Sequence, residues 1–176
     1  MALLKIAKMG HPILFQPAQP VADPGAADIR KLVRDMIETM EDAPGVGLAA
    51  PQVHVSLRLF VFCVPPGRAA GGEVIKPTVL INPEVEPIGN EVMHCIEGCL
   101  SIPGMRALVP RAARIRYRGV DCNGHETLVE AAGFHANVIQ HEYDHLNGVL
   151  YPMRVADFTS FGYLEEFAKA ANGDAT

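Results

Sequence analysis

Residues 140–148 read QHEYDHLNG. On a helix, His141 and His145 are four apart and share one face, a spacing that lets two imidazoles grip a single ion. Glu142 stands beside the first of them, placed to take a proton from water activated by that ion. Phe134, Val138, His141 and His145 follow i, i+4, i+7 and i+11, so the histidines continue an apolar, inward-facing stripe. Burying two unpartnered imidazoles is costly, which favours a metal site over a pair of core histidines.

Two imidazoles need a third ligand. Glu165 and Glu166 lie in a helical stretch with no matching signature around them. The stretch HCIEGCLSIPG (94–104) offers Cys99, next to Gly98 and shortly before Pro103-Gly104, in what reads as irregular backbone able to turn a thiolate inward. One Cys and two His leave the fourth tetrahedral position to water, the arrangement of a catalytic centre. The alternative adds Cys95 and closes a structural zinc site. In an extended stretch the two sulfurs would sit ~13 Å apart at ~3.3 Å per residue. A closed site would also leave Glu142 and Glu97 without a purpose, so the open site is favoured while the closed one stands.

A third stretch is GVGLAAPQ (45–52). Gly45-x-Gly47-x-x-Ala50 matches a dinucleotide fingerprint in form only: it follows a helix, Pro51 breaks any helix it would open, and no acid appears about twenty residues on. It reads as a glycine turn. Glycines also admit a second backbone, and the Gln52 amide suits a polarised carbonyl oxygen.

The elements that would position these residues follow from periodicity and punctuation. Asp23-Pro24 reads as the cap and first residue of a helix. Its apolar stripe is Ile29, Leu32, Val33, Met36, Ile37 and Met40, and it ends before Pro44-Gly45. LRLFVFCV (57–64) is apolar on both faces, a buried strand. PPGRAAGG (65–72) is a flexible loop. TVLINPEV (78–85) is a short strand with Pro83 at an edge or bend. RIRYRGVDCNGHETLVEA is a hairpin turning at Asn123-Gly124. AGFHANVIQHEYDHLNG is a helix with Gly148 at its C′ position, and DFTSFGYLEEFAKAANG is a closing helical stretch. The expected class is α+β: one domain over residues 1–176, with short, mostly antiparallel strands around the histidine helix. An N-terminal amphipathic helix and a C-terminal helix complete it.

Composition agrees. The 176 residues are 49% hydrophobic and 20% charged, ordinary for a globular domain able to bury a core without disulfides. A net charge of −5 argues against a nucleic-acid footprint. No apolar run approaches the ~20 residues of a membrane span, and MALLKIAKMGHPIL lacks a signal peptide's long apolar core. Four cysteines without a dense framework point to a reducing compartment, the cytoplasm. Cys63 reads as a buried small hydrophobe. Cys122, His94, His125 and His135 read as structural or exposed, and the charges of RAARIRYR (111–118) as the solvated face of a strand.

GVGLAAPQ, EGCLS and HEYDH, in this order and with these separations, closely resemble the three motifs of the peptide deformylase family. The resemblance runs from GHPIL near the N-terminus to the C-terminal helix, and is to the bacterial and related organellar form. It implies that Cys99, His141 and His145 hold one divalent ion, usually Fe(II), with zinc, nickel or cobalt able to replace it. The implied substrate is the formyl group on the N-terminal methionine of a nascent polypeptide, with formate released. Glu142 would take the water's proton and pass it to the leaving amine. The ion, the Gln52 amide and the Leu100 N–H would hold the oxyanion, such a donor being worth ~3 kcal/mol. The peptide would lie as an added strand along Gly45, Val46 and Gly47. Val46, Phe134 and Val138 would wall the methionine pocket.

Glu97, beside the Cys motif, would contact substrate or, by the favoured reading, bond loop backbone to fix Cys99. Arg106 would orient substrate or form a surface pair. The C-terminal helix is a ribosome contact in some members, but YLEEFAKAANGDAT is not strongly basic. Two rival classes are an HExxH metallopeptidase cleaving internal amides and a non-enzymatic zinc-stabilised domain.

Overall fold

In the computed structural model, which describes residues 2–69 and 74–172, the chain order is α1 (Ala27–Asp42), β1 (Gly47–Ala49), β2 (Leu59–Val64), β3 (Ile75–Pro87), β4 (Val92–Cys99), β5 (Ile102–Ala112), β6 (Arg114–Val120), β7 (Glu126–Ala132), α2 (Gly133–Leu146), β8 (Gly162–Tyr163) and α3 (Leu164–Asn172). The strands form two sheets, five in the order β1-β2-β3-β6-β7 and three in the order β4-β5-β8, with every strand pairing antiparallel. This is the expected α+β class.

The unbroken apolar run of β2 has a physical cause. Phe60 and Phe62 pack with Ile139 and Leu146 of α2, while Leu59 and Val61 pack with Ile29, Val33, Met36 and Met40 of α1. The strand is sandwiched between two helices, so neither face can be polar. Each fully buried large side chain here contributes about 1.5–3 kcal/mol. Cys63, read as buried, is half-buried at the end of this strand.

Several boundaries differ from the sequence reading. Helix α1 starts at Ala27, because Asp23 spends its carboxylate on a turn by accepting from Gly25 N–H at 2.9 Å. Strand β3 is longer than expected and lies inside the sheet. Pro83 is tolerated there because the ladder shifts between Ile81 and Glu84, where the strand changes partner from β2 to β6. Residues 70–72 of the loop reading lie outside the described residues, and 66–68 form a single 3-10 turn. In the closing stretch only 164–172 are α-helical; Asp157 caps a 3-10 turn at Phe158–Ser160, and Gly162–Tyr163 pair with β5. Gly173 lies outside the described residues. The hairpin turns as expected, with Asp121 Oδ1 accepting from Asn123 and His125 N–H.

The C-terminus of α2 is fixed by a Schellman arrangement: Val149 N–H donates to Asp144 C=O and Gly148 N–H to His145 C=O. Gly148 has φ +72°, and a Cβ there would strike the Phe15–Gln16 backbone. Position 148 therefore excludes any other residue on two counts, and the last turn of the histidine helix is held in place. No helix among the described residues is long and apolar enough to cross a membrane.

Candidate metal centre and cleft

The stretch around Cys99 is a strand, contrary to the irregular backbone expected. Glu97 pairs with Ala107 and Cys99 with Ile102, and the register slips between them at Gly98. The slip turns Cys99 toward α2. Its Sγ lies 3.2 Å from His145 Nε2, and the candidate donor atoms of Cys99, His141 and His145 all lie within 4.8 Å of one another. Cys95, four residues back along an extended strand, is outside this group, and burial pushes its thiol up. The closed structural site therefore falls.

Burial would push the Cys99 thiol up, but His145 and His141 beside it outweigh that and hold it well below the usual thiol range. A thiolate with two imidazoles is a donor set suited to a divalent transition metal. Ser101 N–H and Gln52 Nε2 each approach Cys99 Sγ at 3.4 Å. The Gln52 amide is fixed at its other end, where Oε1 accepts from Ala49 N–H at 2.8 Å, and Nε2 also meets Ser101 Oγ at 3.1 Å.

Glu97 bonds side chains, in place of the loop backbone expected. Its carboxylate accepts from His141 Nδ1 (2.8 Å), Arg111 Nε and Nη2, and Asn137 Nδ2. Burial opposes the charge, yet His141 and Arg111 win and hold Glu97 at about 2. With Nδ1 engaged by Glu97, Nε2 is left as the candidate donor atom of His141, and the orientation and tautomer of the ring are set from behind. Arg111 continues to Asp144, which also binds Arg154. Arg111 is buried, which corrects the reading of all the RAARIRYR charges as solvated; Arg114, Arg116 and Arg118 are indeed exposed.

Glu142 is buried, and burial pushes its carboxyl up to about 7 against the pull of His141 and His145. Its Oε2 has no hydrogen-bond partner among the described residues. Gly47 makes room for it: a Cβ on Gly47 would overlap the Glu142 carboxylate. Gly45 serves in the same way, since a Cβ there would lie 2.9 Å from Leu100 Cδ1.

These parts open on one cleft of about 490 Å³. It brings together Gly45, Val46, Gly47, Gln52, Glu97, Cys99, Leu100, Arg106, Phe134, Val138, His141 and Glu142, while His145 sits behind them, 1% exposed. Arg106 donates to Met105 C=O and forms no salt bridge among the described residues. Sequence reasoning missed Lys8, Arg68, Ser101, Arg111, Asn137 and Asp144. For Glu97 and Arg111 a signal existed, since both fall on the buried parity of their strands. A second hollow of about 340 Å³, lined by Tyr143, Asp144 and Arg154 behind α2, holds none of the candidate ligands.

The polypeptide deformylase family model matches residues 3–160. Peptide deformylase 1 of Nitrosomonas europaea is 49% identical over 161 residues, covering 91% of this chain and 92% of that protein. Peptide deformylase 2 of Ralstonia nicotianae is 47% identical, covering 91% of each. Among solved structures, the peptide deformylase of Thermotoga maritima superposes with a TM-score of 0.81 at 38% identity, covering 89% of this chain and all of that one. That of Ehrlichia chaffeensis gives 0.82 at 34% identity over 99% of this chain and 100% of that one.

Proposed function

The chain belongs to the polypeptide deformylase family, and from that premise we propose how its residues divide the work of removing a formyl group from a new polypeptide. The chain is a metal-dependent hydrolase acting on the N-terminal formyl group of nascent peptides. Residues 1–176 act as one catalytic domain, with Cys99, His141 and His145 as the ligands. The bound ion supplies Lewis acidity, which lowers the pKa of water and polarises the formyl oxygen. Iron(II) is the native ion in this reading, and zinc, nickel or cobalt can replace it, because a mixed nitrogen and sulfur donor set accepts several.

Glu142 takes the water's proton and returns it to the leaving amine. The buried Oε2, unpartnered among the described residues, with Oε1 fitted against Gly47, is the observation that carries this role. Burial raises this carboxyl toward neutrality, where a group can accept and release a proton with equal ease. The Gln52 amide, already clamped by Ala49, and the Leu100 N–H hold the oxyanion.

The substrate backbone adds to the open edge of β1. Cys63 N–H donates to Val46 C=O, so alternation leaves the N–H and C=O of Gly47 facing away from β2. Val46, Phe134 and Val138 surround the methionine side chain. Arg106 orients the peptide, and Glu97 acts on substrate through His141. The site works in the cytoplasm. A ribosome contact through α3 would rest on its exposed Leu164 and Phe167, since Glu165 and Glu166 give it no basic face.

Formate release from a formyl-Met peptide, with metal content measured alongside, tests this directly. Glu142→Ala should keep its ion and lose about 10²–10⁴-fold in kcat. A metal-loaded variant that still turns over at the parental rate would remove Glu142 from the chemistry. Cleavage of internal amide bonds in unformylated peptides would favour the metallopeptidase reading. Iron-loaded protein should lose activity in air while the nickel form persists; equal persistence would overturn iron as the native ion.

A further inference from the structure

The charges lining the cleft are unequally placed. Glu97 and Glu142 are buried in its floor, whereas among the described residues the charged side chains at its rim are Lys8, Arg68 and Arg106. This cationic rim stands on a chain of net charge −5. The opposite lip, Ala43 and Pro44, is neutral, and the acids that precede it, Glu41 and Asp42, do not line the cleft.

Among the described residues, each rim cation is held by one hydrogen bond or ring contact that leaves donors free. Lys8 Nζ donates to Leu100 C=O at 2.8 Å, and Arg106 Nη1 to Met105 C=O at 2.7 Å. The Arg68 guanidinium lies 5.0 Å from the centre of the Phe134 ring, which is also one wall of the methionine pocket. If the substrate backbone adds along β1 as proposed, residues after the methionine pass this wall and the cation stacked on it. At ~3.3 Å per residue, three extended residues span about 10 Å, comparable to the Debye length of about 8 Å at physiological salt.

We propose that this rim makes the enzyme selective for nascent chains with acidic side chains directly after the N-terminal methionine, Arg68 being the residue that carries most of the preference. The inference rests on the deformylase reading and adds a substrate class to it. Main-chain pairing along β1 accepts any sequence, and the charged rim then ranks the sequences that pair.

The test compares kcat/KM for formyl-Met-Glu-Glu-Ser, formyl-Met-Ala-Ala-Ser and formyl-Met-Lys-Lys-Ser on the metal-loaded full chain. The Glu peptide should exceed the Lys peptide by about fivefold to tenfold at low salt, and the ratio should shrink toward one at about 0.5 M salt. Arg68→Ala should cut the ratio severalfold and Arg68→Glu should cut it further, whereas Arg118→Ala, on β6 and outside the cleft lining, should leave it unchanged. Because the ratio is internal to each protein, a loss of folded material does not move it. A wild-type ratio near one, with the Ala peptide turned over, overturns the inference and spares the deformylase reading. A ratio that Arg68→Glu does not change removes Arg68 and overturns its assignment. No turnover of any formyl peptide defeats both.

Discussion

Two arginine–carboxylate pairs in this molecule have the same length and different consequences. Arg111 Nη1 meets Asp144 at 2.6 Å with side chains 4% and 6% exposed, and Arg118 Nη2 meets Glu84 at 2.6 Å with both 65% exposed. The exposed pair belongs to a ladder across β3, β6 and β7 that also joins Arg116 to Glu86 and Glu130. Water screens it, and either partner remains solvated if the other is lost. The buried pair joins Glu97 to the helix that carries the histidines, where a carboxylate that loses Arg111 is not rehydrated in its place. Distance alone therefore says little about an ion pair; the environment decides whether it decorates a surface or holds a ligand.

The contrast can be broken most severely at Arg111. Arg111→Ala leaves Glu97 with His141 and Asn137 and Asp144 with the half-exposed Arg154, and should cost about 3–5 kcal/mol in urea unfolding; a cost near that of a surface substitution would show the network to be dispensable. Acid attacks the same place. Glu97 is depressed from 4.5 to about 2, so its stabilisation is complete above its unfolded value and is lost as pH falls from 4.5 through about 2. Urea unfolding of metal-stripped protein across that window should lose about 3 kcal/mol, and a flat profile would contradict the pairing. Glu97→Gln keeps the shape but weakens the grip on His141, and should loosen the ion by about 10–100-fold in competition with a chelator. An unchanged affinity would separate Glu97 from the centre. The smallest effect belongs to Arg118→Ala, which should change stability by less than about 1 kcal/mol, with salt erasing most of it.

Legibility followed the same divide. His141, Glu142 and His145 were readable because a helix converts sequence spacing directly into geometry. The sandwiched strand β2 was readable because burial on both faces leaves no polar position. Cys99 was picked out for the candidate donor group while its backbone was misread: Gly98, Pro103 and Gly104 look like a loop, and the pairing of β4 with β5 that overrides them is not a local property. Arg111 was misread because it adjoins Arg114, Arg116 and Arg118. It follows Ala107 and Val109 on the buried side of β5, and the other three fall on the exposed side of β6. A charged residue on an inward parity signalled an internal partner. Nothing local could name that partner, since Glu97 and Asp144 come from two other elements.

The N-terminal segment has a bearing on how the centre comes together. Ala7 N–H donates to Gln52 C=O, Met9 N–H to Ser101 C=O, and Lys8 Nζ to Leu100 C=O, so three successive residues stitch the Gln52 turn to the Cys99 hairpin. During synthesis this thread leaves the ribosome before these partners, which follow much later. The helix bearing both imidazoles comes last of the essential parts. A chain interrupted before residue 133 carries Gln52 and Cys99 and still has no imidazole from α2 with which to share an ion.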